Sequence, residues 1–235
     1  MAGDWRSEGD QHRGARGYQE DSWAALTLAD GALLAVVADG MGGHAGGAVA
    51  SRIAVDTFVA TLRDGGTLNQ GLQQANAAVG RQAAARRDLA GMGSTLVAVR
   101  VDGDAVQWIS VGDSPLFLVT GSGLERLNAD HSMAPQIAQM VKRGLISEEE
   151  GANHPARHTL REAVMGEPLT LIDEGQRILG AGARLLLCSD GVQTLRDGEI
   201  AALAGRPAKQ LVAAVLAVAA PHQDNVTVVK LERLP

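Results

Sequence analysis

The chain has 235 residues with 21 basic, 27 acidic and 46% hydrophobic residues, one cysteine and a formal net charge of −6. This size is sufficient for one hydrophobic core, and a single cysteine excludes a disulfide framework or a cysteine-based zinc site. The mild acidity argues against binding to nucleic acid or to an anionic membrane. The N-terminus is polar, and the longest apolar stretch, 211–220, has about half the length that spans a bilayer. We therefore expect a cytoplasmic protein with no membrane or nucleic-acid partner.

Runs of apolar residues, with Gly, Pro and Asp-Gly between them, predict strands and helices in alternating groups. The predicted strands, in order, cover residues 22–29, 32–38, 94–101, 105–111, 115–120, 124–127, 184–189 and 226–231. The predicted helices cover residues 45–62, 68–87, 133–143, a short segment from Ser147, 196–204 and 207–219.

Three of the strand pairs are joined by short turns, which makes those strands antiparallel. The helices follow one another in pairs instead of alternating with single strands. This order favours an α+β fold in which helices pack on antiparallel sheets, and it disfavours a doubly wound parallel sheet.

Five aspartates lie at the predicted ends of strands. Asp39 and Asp190 end apolar strands and precede helices, whereas Asp21, Asp113 and Asp224 precede strands. In an antiparallel sheet the exit of one strand and the entry of its neighbour share an edge. We therefore expect the five carboxylates to meet, and the alternative is five unrelated turns and helix caps.

The first hairpin makes this expectation concrete. A turn at Asp30-Gly31 would set Ser22 opposite Asp39 and Asp21 opposite Gly40. Clustered carboxylates repel one another unless cations neutralise them, and oxygen ligands without a His or Cys cluster suit Mg²⁺ or Mn²⁺. Two such ions about 4 Å apart can deprotonate a water for in-line attack on phosphorus.

Other motifs admit weaker interpretations. The segment 40–45 fits a loose dinucleotide-binding pattern, but a second helix follows where that fold needs a parallel strand. Cys188 lacks the Arg spacing of a cysteine-dependent phosphatase and is expected to be buried in a strand. Arg16 is either a solvated loop residue or a fork for phosphate oxygens, and His44 is either a proton donor or a surface residue.

Seven short segments resemble the metal-dependent protein phosphatases of the PP2C (PPM) family in their compact bacterial form. In order they are Arg16-Gly-Tyr-Gln-Glu20-Asp21, Val37-Ala-Asp39-Gly40-Met-Gly-Gly-His44, Gly93-Ser-Thr95-Leu, Val111-Gly-Asp113-Ser114, Asp130-His-Ser132, Cys188-Ser-Asp190-Gly191 and Asp224-Asn225-Val-Thr-Val. Each is weak alone, but together they span nearly the whole chain in the order of the family.

The resemblance implies a single domain over 1–235 with a four-layer α-β-β-α sandwich of two antiparallel sheets between antiparallel helix pairs. It implies two Mn²⁺ or Mg²⁺ ions, with Asp39 bridging them, Gly40 adding its carbonyl, and Asp190 and Asp224 as further ligands.

It also implies that Glu20 and Asp21 hold metal-bound waters and that Asp113 helps to bind a weaker third ion. Arg16 corresponds to the arginine that binds substrate phosphate. His44 corresponds to the Gly-Gly-His position of the bacterial members and is a candidate acid for the leaving group.

The implied enzyme is a protein-serine/threonine phosphatase, a phosphoric monoester hydrolase. A hydroxide bridging the metals would attack phosphoserine or phosphothreonine directly, without a phosphoenzyme. The implied partners are phosphorylated proteins and an opposing bacterial Ser/Thr kinase, and we expect a monomer. Residues 131–168 correspond to the variable flap beside the site. A pseudophosphatase that binds without turnover is a further alternative, although no metal-site acid is missing.

Overall fold

The computed structural model describes residues 5–42 and 45–234. The strands, in order, are β1 (Trp5–His12), β2 (Asp21–Thr27), β3 (Leu33–Met41), β4 (Gly93–Ser94), β5 (Leu96–Asp102), β6 (Ala105–Val111), β7 (Leu116–Thr120), β8 (Gly123–Arg126), β9 (Asp173–Ile178), β10 (Arg184–Cys188) and β11 (Val226–Arg233). The helices are α1 (Ala45–Arg63), α2 (Leu68–Ala85), α3 (Ala134–Lys142), α4 (Glu148–Ala152), α5 (Asp197–Leu203) and α6 (Ala208–Ala217). Short 3-10 turns cover Arg87–Leu89 and Asp190–Thr194.

The strands form two sheets in which every pair is antiparallel. Sheet 1 has the order β1-β11-β10-β7-β8. Sheet 2 has the order β2-β3-β5-β6-β9, with β4 paired to the end of β3. The sequence-based prediction of an α+β fold with antiparallel sheets is confirmed.

Alternation along β3 explains how the layers stack. Leu34 and Val36 belong to a core formed with α1 and α2, whereas Leu33 and Val37 belong to a core shared with β7, β10 and β11. A third core joins the other face of sheet 1 to α5 and α6. Because successive strand residues face opposite sides, a strand that is apolar throughout can build two cores at once. The four-layer α-β-β-α arrangement follows directly.

The first hairpin differs from its predicted register by one residue. Asp21 pairs with Asp39, and Ser22 pairs with Ala38. Leu28 N donates to Ala32 O at 2.8 Å, which leaves a three-residue loop ending at Gly31, whose φ is +86°. A type I turn closed by a left-handed glycine uses one residue more than the two-residue turn that Asp30-Gly31 indicates. The prediction that Ser22 faces Asp39 is therefore wrong, and the two aspartates are direct partners.

Two strands lack a counterpart in the sequence-based prediction, namely β1 and β9. Both are edge strands rich in charged residues, so neither shows the apolar pattern by which strands are recognised. Within 5–42 and 45–234, none of the helices combines the length and the apolar character needed to cross a bilayer.

Candidate active site

The predicted carboxylates converge at one end of the sandwich, between the two sheets. Asp21 and Asp39 come from sheet 2, whereas Asp190 follows β10 and Asp224 precedes β11 in sheet 1. Asp113 lies between β6 and β7 and so connects the two sheets. Within the part of the chain that the structure describes, this end holds a cleft of about 490 Å³. Its lining comprises Arg16, Glu20, Asp39, Gly40, Met41, Gly42, Thr95, Asp113, His158, Thr159, Leu160, Asp190, Asp224 and Asn225.

Hydrogen bonds to the main chain fix the position of Asp39. Its N–H donates to Thr95 Oγ1 at 3.0 Å, and its carbonyl accepts from Thr95 N and Ser94 Oγ, both at 2.9 Å. Thr95 Oγ1 lies 2.7 Å from Ser114 Oγ, so the same network reaches the residue after Asp113. The Gly-Ser-Thr and Gly-Asp-Ser segments thus act together as positioning residues.

Gly40 is required by close packing at this point. A Cβ on Gly40 would lie 2.1 Å from the Gly47 carbonyl oxygen and 2.6 Å from that of Glu20. No side chain fits in that space, and the backbone of β3 is therefore in direct contact with the first turn of α1 and with Glu20. The predicted metal ligand Gly40 lines the cleft beside Asp39.

Asn225 holds the loop that carries Arg16. Its Oδ1 accepts from Glu20 N at 2.6 Å, and its Nδ2 donates to the carbonyls of Arg13 and Tyr18 at 2.9 and 3.0 Å. Asn225 also contacts Asp224 through its backbone, since Asn225 N donates to Asp224 Oδ1 at 2.8 Å. The side chain instead ties the loop before β2 to the start of β11.

Arg16 lies at the rim of the cleft. Its Nη2 donates to Asp224 Oδ2 at 2.6 Å, and 51% of its side chain is exposed. A surface ion pair of this kind contributes little to stability. Its importance is positional, because it holds a half-exposed guanidinium beside the carboxylates.

Burial and mutual repulsion raise the pKa values of the clustered carboxylates. Burial is the main reason that the pKa of Asp39 lies well above its usual value, and repulsion from Asp21, Asp190 and Asp224 adds to it. Burial likewise raises the pKa of Asp21 to about 7, against hydrogen bonds that lower it, and the pKa of Asp113 to about 7. The pKa of Asp190 is also raised, chiefly by burial and then by Asp224. Such a cluster favours bound protons or bound cations.

The donor set suits a hard divalent ion. All of the predicted side-chain ligands offer carboxylate oxygens. Asp21 Oδ1 is buried without a hydrogen-bond partner among the described residues, while Thr227 Oγ1 donates to Asp21 Oδ2 at 2.6 Å. In the described ranges, no group of three His, Cys, Asp or Glu side chains is already arranged so that it could hold a metal ion.

The structure adds one residue that the sequence did not indicate. His158 is exposed on the flap and lines the cleft close enough to Asp190 to lower the pKa of that carboxyl. No motif surrounds it, so only the folding of the flap over the cleft reveals it. The predicted proton donor His44 lies outside the described residues. Cys188 is buried in β10, where burial raises the pKa of its thiol, as expected for an unreactive core cysteine.

An acidic cleft between the ends of two antiparallel sheets, in an α-β-β-α sandwich, defines a class of metal-dependent phosphatases. Residues 8–231 match the family Protein phosphatase 2C, and the chain belongs to this family.

Similar proteins agree with that assignment. The chain is 31% identical over 233 residues to the serine/threonine phosphatase stp of Listeria welshimeri, covering 93% of this chain and 91% of that protein. It superposes with a TM-score of 0.83 on the serine/threonine phosphatase PstP/Ppp of Mycobacterium tuberculosis, at 31% identity over 98% of this chain and 99% of the other. The catalytic domain of PstP in complex with two manganese ions has a TM-score of 0.82 and 30% identity, again over 98% and 99% of the two chains.

Proposed function

We propose that this protein is a metal-dependent phosphatase that hydrolyses phosphoserine and phosphothreonine in proteins. The observation that carries the proposal is the meeting of Asp39, Asp190 and Asp224 in one cleft with Arg16 at its rim. The relatives named as serine/threonine phosphatases, and the manganese complex of one of them, support it.

Two divalent ions would be held by Asp39, Asp190 and Asp224 with the Gly40 carbonyl, and Glu20 and Asp21 would hold their water ligands. When bound, such ions supply Lewis-acid activation of water and neutralise charge on phosphate. The raised pKa values support this assignment, since the carboxylates are costly to ionise together without cations.

Asp113 is proposed to contribute to a weaker third ion. It is buried near Asp190, and its carbonyl accepts from Arg126 Nη2 at 2.8 Å, so its backbone is fixed. The repulsion that Asp190 exerts on Asp113 is the kind that an additional cation relieves.

Arg16 would bind the substrate phosphate. Only its Nη2 contacts a carboxylate of the described residues, so its remaining guanidinium donors are open to two oxygens of one phosphate. Two such hydrogen bonds orient the phosphorus with one face toward the carboxylate cluster. The opposite face then carries the serine or threonine oxygen that leaves.

The leaving oxygen needs a proton, and the chain offers two histidines for it. His44 is the candidate from the family resemblance, and His158 is the candidate that lines the cleft. An imidazolium at either position would donate its proton to the departing alkoxide.

The decisive test is hydrolysis of p-nitrophenyl phosphate and of a phosphothreonine peptide with Mn²⁺. We expect activity that EDTA abolishes and that Asp39→Asn reduces by at least about 10³-fold. The matched control is Asp64→Asn, which changes an exposed Asp-Gly carboxylate in the turn after α1. Full activity in EDTA, or in Asp39→Asn, would contradict the proposal. Binding of the peptide without turnover at saturating Mn²⁺ would instead indicate a pseudophosphatase.

The physiological partners proposed here are those that the family resemblance implies. We infer that the protein acts as a monomer in the cytoplasm on proteins phosphorylated by a Ser/Thr kinase, and that it opposes that kinase. Light scattering measures the mass in solution and so tests whether the protein is a monomer. Phosphoproteomics of a strain that lacks the protein identifies its substrates. Unchanged Ser/Thr phosphorylation in such a strain would contradict the kinase pairing.

A further inference from the structure

One edge of sheet 2 differs from the other sheet edges that the structure describes. Strands β1, β8 and β9 are edge strands with charged side chains at several positions. In addition, Arg177 of β9 donates to Glu125 of β8 at 2.7 Å and so connects the two sheets on that side. Charged side chains are the usual protection of an edge strand against pairing with another chain. Strand β2 has the sequence Asp21-Ser-Trp-Ala-Ala-Leu-Thr27 and no charged residue after its first.

The hydrogen bonds at both ends of β2 show which residues face outward. Glu20 O accepts from Gly40 N at 3.1 Å, and Leu28 N donates to Ala32 O at 2.8 Å, so even-numbered residues direct their backbone groups toward β3. Backbone direction alternates along a strand, and therefore Trp23, Ala25 and Thr27 direct their N–H and C=O groups away from β3. Among the described residues, β2 has no second strand neighbour.

A groove of about 590 Å³ runs between this edge and α1. Residues 22–26 form one wall, and Val55 and Val59 supply apolar surface on the other. Arg52 and Arg63 stand at the rim, are exposed, and form no ion pair within the described part of the chain. Asp56 is the acidic residue of the lining, so the rim carries a net positive charge.

The groove begins next to the catalytic cleft. Glu20 lines the cleft and Ser22 lines the groove, so only Asp21 separates the two along the chain, and Ser22 Oγ lies 3.0 Å from Ser51 Oγ at this end. Arg63 and Leu26 mark the far end. Seven residues in a strand extend about 23 Å. A polypeptide whose phosphorylated residue occupies the cleft can therefore continue along β2.

We propose that the edge of β2 receives an extended segment of the phosphoprotein substrate as an added strand. This inference rests on the proposed phosphatase function. The outward backbone groups of Trp23, Ala25 and Thr27 would pair with the segment, and Arg52 and Arg63 would favour acidic residues in it. Main-chain pairing supplies affinity with little dependence on sequence, and the arginines supply a preference for acidic flanks.

The test compares peptides of different length on the Mn²⁺-loaded enzyme. Two acidic peptides carry seven residues on either the N-terminal or the C-terminal side of one phosphothreonine, and a third is a short phosphothreonine peptide. One of the two long peptides is expected to have kcat/KM about tenfold above the short one, mainly through KM. Proline at alternate positions of that peptide removes N–H donors and is expected to abolish the advantage.

Charge reversal at the rim provides the second measurement. Arg52→Glu with Arg63→Glu is expected to raise KM for the long acidic peptide about tenfold and to leave turnover of p-nitrophenyl phosphate unchanged. The matched control is Arg81→Glu, an exposed arginine of α2 that does not line the groove. Its KM for the same peptide is expected to match that of the wild type.

The outcomes separate the two proposals. If p-nitrophenyl phosphate is not hydrolysed, the phosphatase function fails and this inference fails with it. If it is hydrolysed but neither long peptide exceeds the short one, the inference alone is overturned. It is also overturned if the double variant changes the mass in light scattering, because a second copy of the chain would then occupy the edge.

Discussion

Replacing Asp113 with asparagine tests whether the carboxylate cluster destabilises the metal-free protein. Burial, followed by repulsion from Asp190 and Asp130, raises the pKa of Asp113 from 3.8 to about 7 in the folded state. Between these two values the unfolded chain ionises this group while the folded protein keeps it protonated. The free energy of unfolding therefore keeps its full value below about pH 4 and falls as the pH rises to about 7.

The magnitude follows from the width of that interval. Each unit of pH within it lowers the free energy of unfolding by ~1.36 kcal/mol, which gives an upper limit of roughly 4 kcal/mol above pH 7. Asparagine resembles the protonated acid and does not ionise. Without metal, Asp113→Asn is thus expected to match the wild type near pH 4 and to exceed its stability by about 2–4 kcal/mol at pH 8.

Urea unfolding in EDTA at several pH values measures this difference. Groups whose pKa does not depend on Asp113, among them His131, whose pKa burial lowers, titrate alike in both proteins, and their contributions cancel in the comparison. With Mn²⁺ at pH 8 the order is expected to change, because the wild type gains more stability from the ion than the variant does. A difference that does not grow between pH 4 and 8 would refute the reasoning.

Three further substitutions address single contacts of the site. Arg16→Ala is expected to raise KM for a phosphothreonine peptide about 10- to 100-fold in steady-state kinetics, since it removes a charge-assisted pair of hydrogen bonds; an unchanged KM would contradict its role. Thr227→Val removes the 2.6 Å bond to Asp21 and is expected to lower the metal-free stability in urea by about 1–3 kcal/mol at pH 8; no loss would mean that Asp21 does not depend on it. His158→Asn is expected to reduce kcat for phosphothreonine at least about 10²-fold but not for p-nitrophenyl phosphate, whose leaving group needs no proton. Equal losses on both substrates would exclude His158 as the donor.

The architecture was predictable from the sequence where strands bury both faces. Strand β3 is apolar at nearly every position, because one face packs on helices and the other on sheet 1. The edge strands β1 and β9 were not predictable in this way. They are held by backbone pairing to β11 and β6, and such pairing leaves no apolar pattern in the sequence.

The meeting of the carboxylates was predictable from their positions at strand ends, but the finer geometry was not. Whether Asp21 faces Asp39 or Gly40 depends on the turn type at Gly31, and the Asp-Gly pair alone suits more than one loop length. The position of His158 in the cleft depends on how the flap folds over it. The Ser132–Leu160 bridge that anchors the flap joins residues far apart in the chain, and no local pattern predicts it.

The acidic residues of the cleft come from both sheets. The affinity for metal ions would therefore depend on how one sheet packs on the other. Thr227 of sheet 1 binds Asp21 of sheet 2, and Asp39 lies against Asp190 across the same boundary. Once ionised, these acids would push this end of the sandwich apart, whereas bound cations would draw it together. By thermodynamic reciprocity, anything that shifts the sheets at a distance changes how tightly the ions are held. Ion binding at this end and the packing of one sheet on the other would therefore depend on each other.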